Sequence, residues 1–125
     1  MSKYLIMKVV VLGASDNPTR YSNMAVNALL NNGFDAIPVG IKNTSIDGVP
    51  IINSKDPLQN IHTITLYLNP MRQEEWYDFI LKTNPKRLIF NPGTENLELI
   101  QLAMNNNIEI VEACTLVMLS TNQFD

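Results

Sequence analysis

The feature that most constrains the fold is an apolar run, Leu5 to Leu12, that stops at Gly13 and leads through a polar loop into a helix-like segment. The run is rich in Val and Ile and almost continuously apolar, which is typical of a strand covered on both faces. Apolar residues then recur with i, i+3, i+4 spacing between Ala25 and Leu29, which predicts an amphipathic helix. The chain therefore begins as a strand, a loop and a helix that pack together.

The same alternation continues to the end of the sequence. Ser22 is predicted to cap the first helix and Gly33 to end it. Four further strands are predicted at Phe34–Val39, Ile61–Leu68, Arg87–Phe90 and Ile108–Val111. Helices are predicted from Asn69 to about Lys82, after a cap at Thr94, and over Thr115–Thr121.

Between the second and third strands the pattern is weaker. Asp47-Gly48 indicates a turn, and Asp56-Pro57 is typical of the start of a short helix. The apolar stretch Val49–Ile52 is too short to assign.

Alternating strands and helices predict an α/β fold: a three-layer, Rossmann-like, doubly wound parallel sheet of about five strands with helices on both faces. In such folds, ligands bind beyond the carboxyl ends of the strands, where the strand order switches. The loops after the first four strands are therefore the candidates for function.

Composition limits the classes of protein that the chain can belong to. Its 125 residues, 46% hydrophobic, suit a single domain over residues 1–125. A net charge of −3 and the lack of a Lys/Arg cluster argue against a nucleic-acid partner. No apolar run approaches the roughly 20 residues that span a bilayer. Met1 to Tyr4 lead directly into a strand, so no secretory signal is expected, and the single cysteine, Cys114, suits the reducing cytoplasm. A homodimer is the default expectation.

The loop after the first strand is the candidate phosphate site. Glycine allows a tight turn and a close approach of phosphate to the backbone, and the helix that follows offers free N–H groups and partial positive charge. The candidate residues are Gly13, Ala14, Ser15, Arg20, Tyr21 and Ser22. Any strand-to-helix turn also favours such residues, so at this point both interpretations stay open.

Two standard nucleotide motifs are missing from this loop. A phosphate-transfer P-loop needs a second glycine and a lysine, and a dinucleotide loop needs Gly-x-Gly-x-x-Gly, of which only Gly13 is present. An NAD site also needs an acidic residue after the second strand, where this chain has Gly40, Ile41 and Lys42. Lys42 suits a ribose that carries an extra phosphate, as in NADP or coenzyme A (CoA), although it can equally be a solvated loop lysine.

Two later loops share a pattern in which an apolar strand runs into Asn-Pro. Asparagine tolerates turn conformations and proline fixes the start of the next element, so such loops can hold a ligand against the backbone. The candidate residues are Asn69, Pro70, Asn91, Pro92 and Gly93. Simple strand-to-helix turns explain each loop equally well.

Taken in order, several short stretches resemble the small stand-alone CoA-binding domain proteins, which are similar to the CoA-binding domain of the succinyl-CoA ligase alpha subunit. These stretches are Val-Val-Val-Leu-Gly-Ala-Ser (9–15), Tyr-Ser-Asn-Met-Ala (21–25), Ala-Ile-Pro-Val (36–39), Asp-Gly-Val-Pro (47–50) and Asn-Pro-Gly-Thr (91–94). The resemblance spans residues 8–119 and implies a Rossmann-like domain that binds CoA or an acyl-CoA.

The resemblance also implies roles for individual residues. It places the CoA pyrophosphate at Gly13, Ala14 and Ser15, the phosphorylated ribose near Lys42, and the rest of the ligand along the two Asn-Pro loops. Family members often carry Cys-Pro late in the chain, where this sequence has Cys114-Thr115. The cysteine matches and the proline does not.

Few residues suggest catalysis. The only histidine, His62, begins a predicted strand and has no nucleophile motif around it, and one Cys with one His cannot form a usual zinc site. Cys114 follows the fifth strand, where a thiol contact or mixed disulfide with CoA is conceivable, although most such cysteines are structural. The leading hypothesis is non-catalytic binding of CoA or an acyl-CoA. The alternatives are an NADP-dependent oxidoreductase and a degenerate Rossmann domain that binds a protein partner.

Overall fold

The computed structural model describes residues 6–125. The strands are β1 (Lys8–Leu12), β2 (Asp35–Val39), β3 (Ser45–Ile46), β4 (Val49–Pro50), β5 (Thr63–Leu66), β6 (Arg87–Phe90) and β7 (Glu109–Glu112). The α-helices are α1 (Tyr21–Asn31), α2 (Pro70–Gln73), α3 (Tyr77–Thr83), α4 (Leu97–Asn105) and α5 (Thr115–Ser120).

Five of the strands form one parallel sheet in the order β2-β1-β5-β6-β7. The chain moves outward from β1 to β2, and then crosses back to place β5 on the other side of β1. The strand order therefore switches between β1 and β5, where Leu12 pairs with Leu66. The predicted Rossmann-like parallel sheet is confirmed.

Helices cover the sheet on both sides, because side chains of the inner strands alternate between two apolar clusters. On one side Val9 and Val11 pack with Val26 and Leu29 of α1 and Leu119 of α5. On the other side Val10, Leu12 and Ile64 pack against the segment that contains Trp76, Phe79 and Ile80, and against Leu99 of α4. The three predicted layers are present.

Several predicted boundaries are wrong. The third strand covers Thr63–Leu66 rather than Ile61–Leu68, and the residues after Asp56-Pro57 form bends instead of a helix. Val49 belongs to a small antiparallel hairpin, in which β4 pairs with β3 around the predicted Asp47-Gly48 turn. Leu5, predicted in β1, and the Met1–Tyr4 segment lie outside the described residues.

Both predicted serine/threonine caps are also wrong. α1 begins after Arg20, so Ser22 lies inside the first turn and is buried. α4 is capped by Asn96, whose side-chain oxygen accepts hydrogen bonds from the N–H groups of Glu98 and Leu99. Thr94 instead donates its hydroxyl hydrogen bond to the Asn91 carbonyl at 2.7 Å.

The helix predicted from Asn69 to Lys82 is interrupted. It consists of α2, a 3-10 turn over Glu74–Trp76, and α3. Trp76, Phe79 and Ile80 are all buried, as the predicted inner face requires. The short helix α2 begins at Pro70, soon after the carboxyl end of β5 at Leu66.

Candidate functional site

The loops after β1, β2, β5 and β6 surround a cleft of about 860 Å³ at the carboxyl edge of the sheet. This size lies within the range of small-molecule sites, about 300–1,000 Å³. The first loop contributes Gly13, Ala14, Ser15, Asp16, Asn17, Arg20, Tyr21 and Ser22. The other loops contribute Gly40, Ile41, Lys42, Tyr67, Leu68, Asn69, Arg72, Glu75, Trp76, Pro92, Gly93 and Thr94.

The first loop is held against its neighbours through its backbone. The N–H groups of Gly13 and Ala14 both donate to the Val39 carbonyl, at 2.9 and 3.0 Å. Gly13 has a φ of +95°, and a Cβ atom there would lie 3.0 Å from the side chain of Leu68. Glycine is therefore required here by backbone conformation and by the close packing of the β1 and β5 loops.

Two asparagines shape the rest of this loop. The Asn17 side-chain oxygen accepts hydrogen bonds from the N–H and the hydroxyl of Thr19, at 3.0 and 2.8 Å. Asn23, buried in α1, donates from its amide to the Ser15 carbonyl at 3.0 Å. These bonds fix the path of the chain from β1 into α1.

The first loop still has free hydrogen-bond donors. Within residues 6–125, no acceptor is found for the backbone N–H groups of Ser15, Asp16, Tyr21 and Ser22. The Ser15 hydroxyl accepts from the Asn17 N–H at 3.1 Å and keeps its own hydrogen available. These groups can bind an anion at the entrance to α1.

The charged residues of the cleft are of both signs. Lys42 lies 3.7 Å from a carboxylate oxygen of Asp16, and both side chains are accessible to solvent. Arg20 and Arg72 line the same cleft, and neither forms an ion pair with another described residue. Glu75 pairs with Lys55 at 3.3 Å. The cleft therefore contains two guanidinium groups that are free to meet a ligand phosphate.

The two Asn-Pro loops use their asparagines in different ways. Asn69 caps α2 by accepting from the Arg72 N–H at 2.9 Å, and it remains exposed on the cleft wall. Asn91 is buried and donates to the Thr65 hydroxyl and the Leu66 carbonyl, while it accepts from the Thr115 N–H. Asn91 therefore ties the carboxyl ends of β5 and β6 to the start of α5.

A smaller cavity of about 290 Å³ adjoins the cleft. It shares Tyr21, Tyr67 and Pro92 with the cleft, and it is completed by Asn91, Cys114 and Leu116. The Tyr67 hydroxyl is buried and has no hydrogen-bond partner among the described residues. Burial, and to a smaller extent the nearby Cys114, raise the pKa of Tyr67 to about 12.

Most of the predicted site residues meet at these two cavities. Pro70 is the exception, because it lines neither cavity and serves as the first residue of α2. Asn91 lines only the smaller cavity, and its amide is already engaged. Gly40, Tyr67 and Arg72 also line the cleft, although the sequence alone does not predict them as site residues.

His62 lies away from the cleft. It precedes β5, at the amino edge of the sheet, and its Nδ1 atom is 2.8 Å from the Thr63 hydroxyl. Within residues 6–125, no cluster of three His, Cys, Asp or Glu side chains could hold a metal ion. In the same range, no helix is long and apolar enough to cross a membrane.

A parallel sheet with a cleft at its switch point defines the chain as a Rossmann-like α/β protein. A model of the CoA binding domain family matches residues 7–120, and the chain belongs to this family. No curated protein matches the chain.

Solved structures share the same fold. One, titled "Crystal structure of uncharacterized protein", is 44% identical with a TM-score of 0.93, over 96% of this chain and 99% of the other. A "hypothetical protein from Pyrococcus horikoshii OT3" is 25% identical with a TM-score of 0.84, over 96% and 85%. A Thermus thermophilus protein, 18% identical with a TM-score of 0.79 over 95% and 91%, is similar in fold.

Proposed function

We propose that this protein binds CoA or an acyl-CoA in the cleft and performs no chemical step on it. The observation that carries the proposal is the meeting of unpaired backbone N–H groups and unpaired guanidinium groups at the switch point of the sheet. Such a site suits a pyrophosphate, which needs several donors and positive charge at once. Membership of the CoA binding domain family supports CoA as the class of ligand. The hydrogen-bond donors and guanidinium groups of the cleft supply the attraction for the ligand phosphates.

In this proposal, the pyrophosphate binds beside Ser15 and the first turn of α1. The N–H groups of Gly13 and Ala14 already donate to the Val39 carbonyl, so they are not counted as donors to the ligand. These two residues contribute by letting the ligand approach the backbone. The donors are the N–H groups of Ser15, Asp16, Tyr21 and Ser22, together with the Ser15 hydroxyl. Arg20 lies one residue before α1 and adds charge.

Lys42 is proposed to face the phosphorylated ribose. Its contact with Asp16 is long and exposed, so a ligand phosphate can replace that carboxylate at little cost. Asn69, Pro92 and Gly93 are proposed to line the path of the rest of the ligand, because they lie on the opposite wall of the cleft. Cys114 lines the smaller cavity and is proposed to lie near the ligand thiol.

Binding without chemistry is proposed because the carboxylates that line the cleft, Asp16 and Glu75, are exposed and each lies beside a lysine ammonium group, which suits charge balance rather than proton transfer. His62 lies at the opposite edge of the sheet, and Tyr67 has a pKa too high for it to act as a base near neutral pH. The protein is also proposed to be cytoplasmic and to form a homodimer. Sedimentation analysis of the full chain tests the homodimer.

Calorimetry with CoA, acetyl-CoA, NADP and NAD tests the proposed function. CoA and acetyl-CoA should bind, and NADP and NAD should bind much more weakly. Arg20→Ala should weaken CoA binding, whereas Lys86→Ala, which removes an exposed charge at the amino edge of the sheet, should not. Tight NADP binding without CoA binding would favour the oxidoreductase, and binding of none of the four would favour a protein-interaction domain.

A further inference from the structure

Gln73, the last residue of α2, is a fully buried polar side chain that lines neither cavity. A buried amide is costly unless its hydrogen-bonding groups find partners. Its partners therefore indicate why an amide, rather than an apolar side chain, fills this position.

The amide of Gln73 joins the two loops that form one wall of the cleft. Its Nε2 group donates to the Leu68 carbonyl and to the Thr94 carbonyl, both at 2.8 Å. Its Oε1 atom accepts from the amide of Asn96, which caps α4, at 2.9 Å. Both amide hydrogens and the amide oxygen are therefore used, and one side chain is tied to the loop after β5 and to the loop after β6.

No backbone hydrogen bond duplicates this bridge. Within residues 6–125, no backbone N–H group donates to the carbonyl of Leu68 or Thr94, and none joins residues 67–73 to residues 91–96. Asn91 links the two strands only at their carboxyl ends, through the Leu66 carbonyl. Beyond the strand ends, Gln73 is the residue whose hydrogen bonds hold the two loops at a fixed spacing.

Each carbonyl that Gln73 holds is next in sequence to a residue of the proposed ligand path. Leu68 precedes Asn69, and Thr94 follows Gly93, and all four of these residues line the cleft. The first loop, where the pyrophosphate is proposed to bind, is held by separate hydrogen bonds to β2 and α1. Gln73 therefore bears on the part of the cleft that receives the ligand beyond its phosphates.

We propose that Gln73 is a positioning residue for the pantetheine arm of CoA, because it fixes the spacing of the two loops along which that arm runs. The inference rests on the proposed function, since the CoA phosphates must occupy the first loop. It adds that the cleft binds the ligand in two separable parts, and that affinity for the arm depends on a side chain that the ligand does not touch.

The test is calorimetry of the full chain with CoA and with 3′-phospho-ADP, which is CoA without its pantetheine arm. Gln73→Met removes the amide and keeps an unbranched side chain. Gln101→Met is the matched control, because Gln101 is exposed on α4 and its amide donates to Asn105 outside both cavities. Thermal unfolding checks that each variant is folded.

The native protein should bind CoA more tightly than 3′-phospho-ADP. Gln73→Met should weaken CoA binding about threefold to tenfold, the value of one hydrogen bond, and should change 3′-phospho-ADP binding by less than about twofold. Gln101→Met should change neither affinity. A role in stability alone would lower the unfolding temperature of Gln73→Met without changing the ratio of the two affinities.

Gln73→Glu is a second variant that decides the matter if Gln73→Met does not fold. Burial favours the uncharged carboxyl group, which donates one hydrogen bond where the amide donates two. The loss of CoA affinity should therefore be smaller than in Gln73→Met, and again confined to CoA.

Three results would overturn the inference and leave the proposed function standing. They are equal affinities of the native protein for CoA and 3′-phospho-ADP, an unchanged CoA affinity in a folded Gln73 variant, and an equal loss for both ligands in that variant. Failure of the native protein to bind CoA would overturn the proposed function and the inference together.

Discussion

A Cβ atom added at Gly40 would lie 2.8 Å from the carbonyl oxygen of Ala14. The loop after β2 is therefore packed directly on the backbone of the first loop, at the centre of the proposed phosphate site. Because the obstructing atom belongs to the backbone, a side chain at residue 40 can be accommodated only if the first loop moves.

Gly40→Ala should weaken CoA binding by about tenfold or more and lower the free energy of unfolding by about 1–3 kcal/mol, the usual range for overpacking. Gly48→Ala is the matched control, because Gly48 has a φ of +85°, which strains any side chain there, but an added Cβ atom would meet no atom beyond its chain neighbours within 4 Å. The Gly48→Ala protein should therefore lose stability through backbone strain and keep its affinity for CoA. Calorimetry and thermal unfolding measure the two effects. Unchanged CoA affinity in folded Gly40→Ala would show that the position of this loop does not matter for binding.

Asn91→Ala should be among the most destabilising polar substitutions in the chain. It removes two donated hydrogen bonds and leaves the buried Thr115 N–H without its acceptor, which should cost about 2–4 kcal/mol. Asn105→Ala, on the exposed surface of α4, should change stability by less than about 0.5 kcal/mol. Urea unfolding compares the two variants, and a similar small effect of both would contradict the structural role given to Asn91.

The strands and the place of the cleft could be predicted because they depend on local signals. Continuous apolar runs mark the inner strands, and Gly13 and the Asn-Pro pairs mark where they stop. The caps could not be predicted in the same way, since several candidates compete within a few residues. The Thr94 hydroxyl bonds to a carbonyl in its own turn, which leaves Asn96 to cap α4.

The missed cleft residues depend on strand order, which no local pattern fixes. Tyr67 looks like one more residue of an apolar strand, and Arg72 looks like a solvated helix residue. Only the switch between β1 and β5 brings them to the same cleft as Arg20. In the sequence, Gly40 is only one of the residues after the second strand, because its close approach to Ala14 is a tertiary contact.

Stability should depend on pH through His62. Partial burial and, next, the charges of Arg87 and Lys86 lower the pKa of His62 below its usual 6.5, although Glu109 opposes them. The unfolded chain then binds the proton more readily than the folded protein does. His62 should therefore not reduce the free energy of unfolding above about pH 6.5, and the free energy of unfolding should fall as the pH drops below that value.

His62→Gln should remove the part of the pH dependence that begins as the pH falls below about 6.5, while the acid unfolding that carboxylates cause at lower pH remains. Urea unfolding at a series of pH values measures the slope for both proteins. An identical slope in the native protein and His62→Gln would contradict the assignment to His62.

Lys42→Ala should weaken binding of CoA about two- to fivefold and leave dephospho-CoA binding nearly unchanged, if Lys42 faces the extra ribose phosphate. Asp16→Asn should strengthen CoA binding, because it removes the carboxylate that competes with the ligand phosphate for the Lys42 ammonium group. Both effects should shrink as salt is added, since these side chains are exposed. Equal losses for CoA and dephospho-CoA in Lys42→Ala would show that this lysine does not recognise that phosphate.

Cys114 should react with CoA disulfide if the ligand thiol lies at the smaller cavity. In that exchange, the Cys114 thiolate attacks one sulfur of CoA disulfide, one CoA leaves as a thiolate, and the protein retains the other as a mixed disulfide. Intact-mass measurement should show a gain of one CoA, which dithiothreitol reverses and Cys114→Ser abolishes. Excess acetyl-CoA should slow the reaction, because it occupies the same site and has no free thiol. No mass gain in the native protein would show that Cys114 does not lie near the thiol end of the bound ligand. A gain that acetyl-CoA does not slow would indicate that Cys114 reacts with CoA disulfide from solution rather than in the bound state.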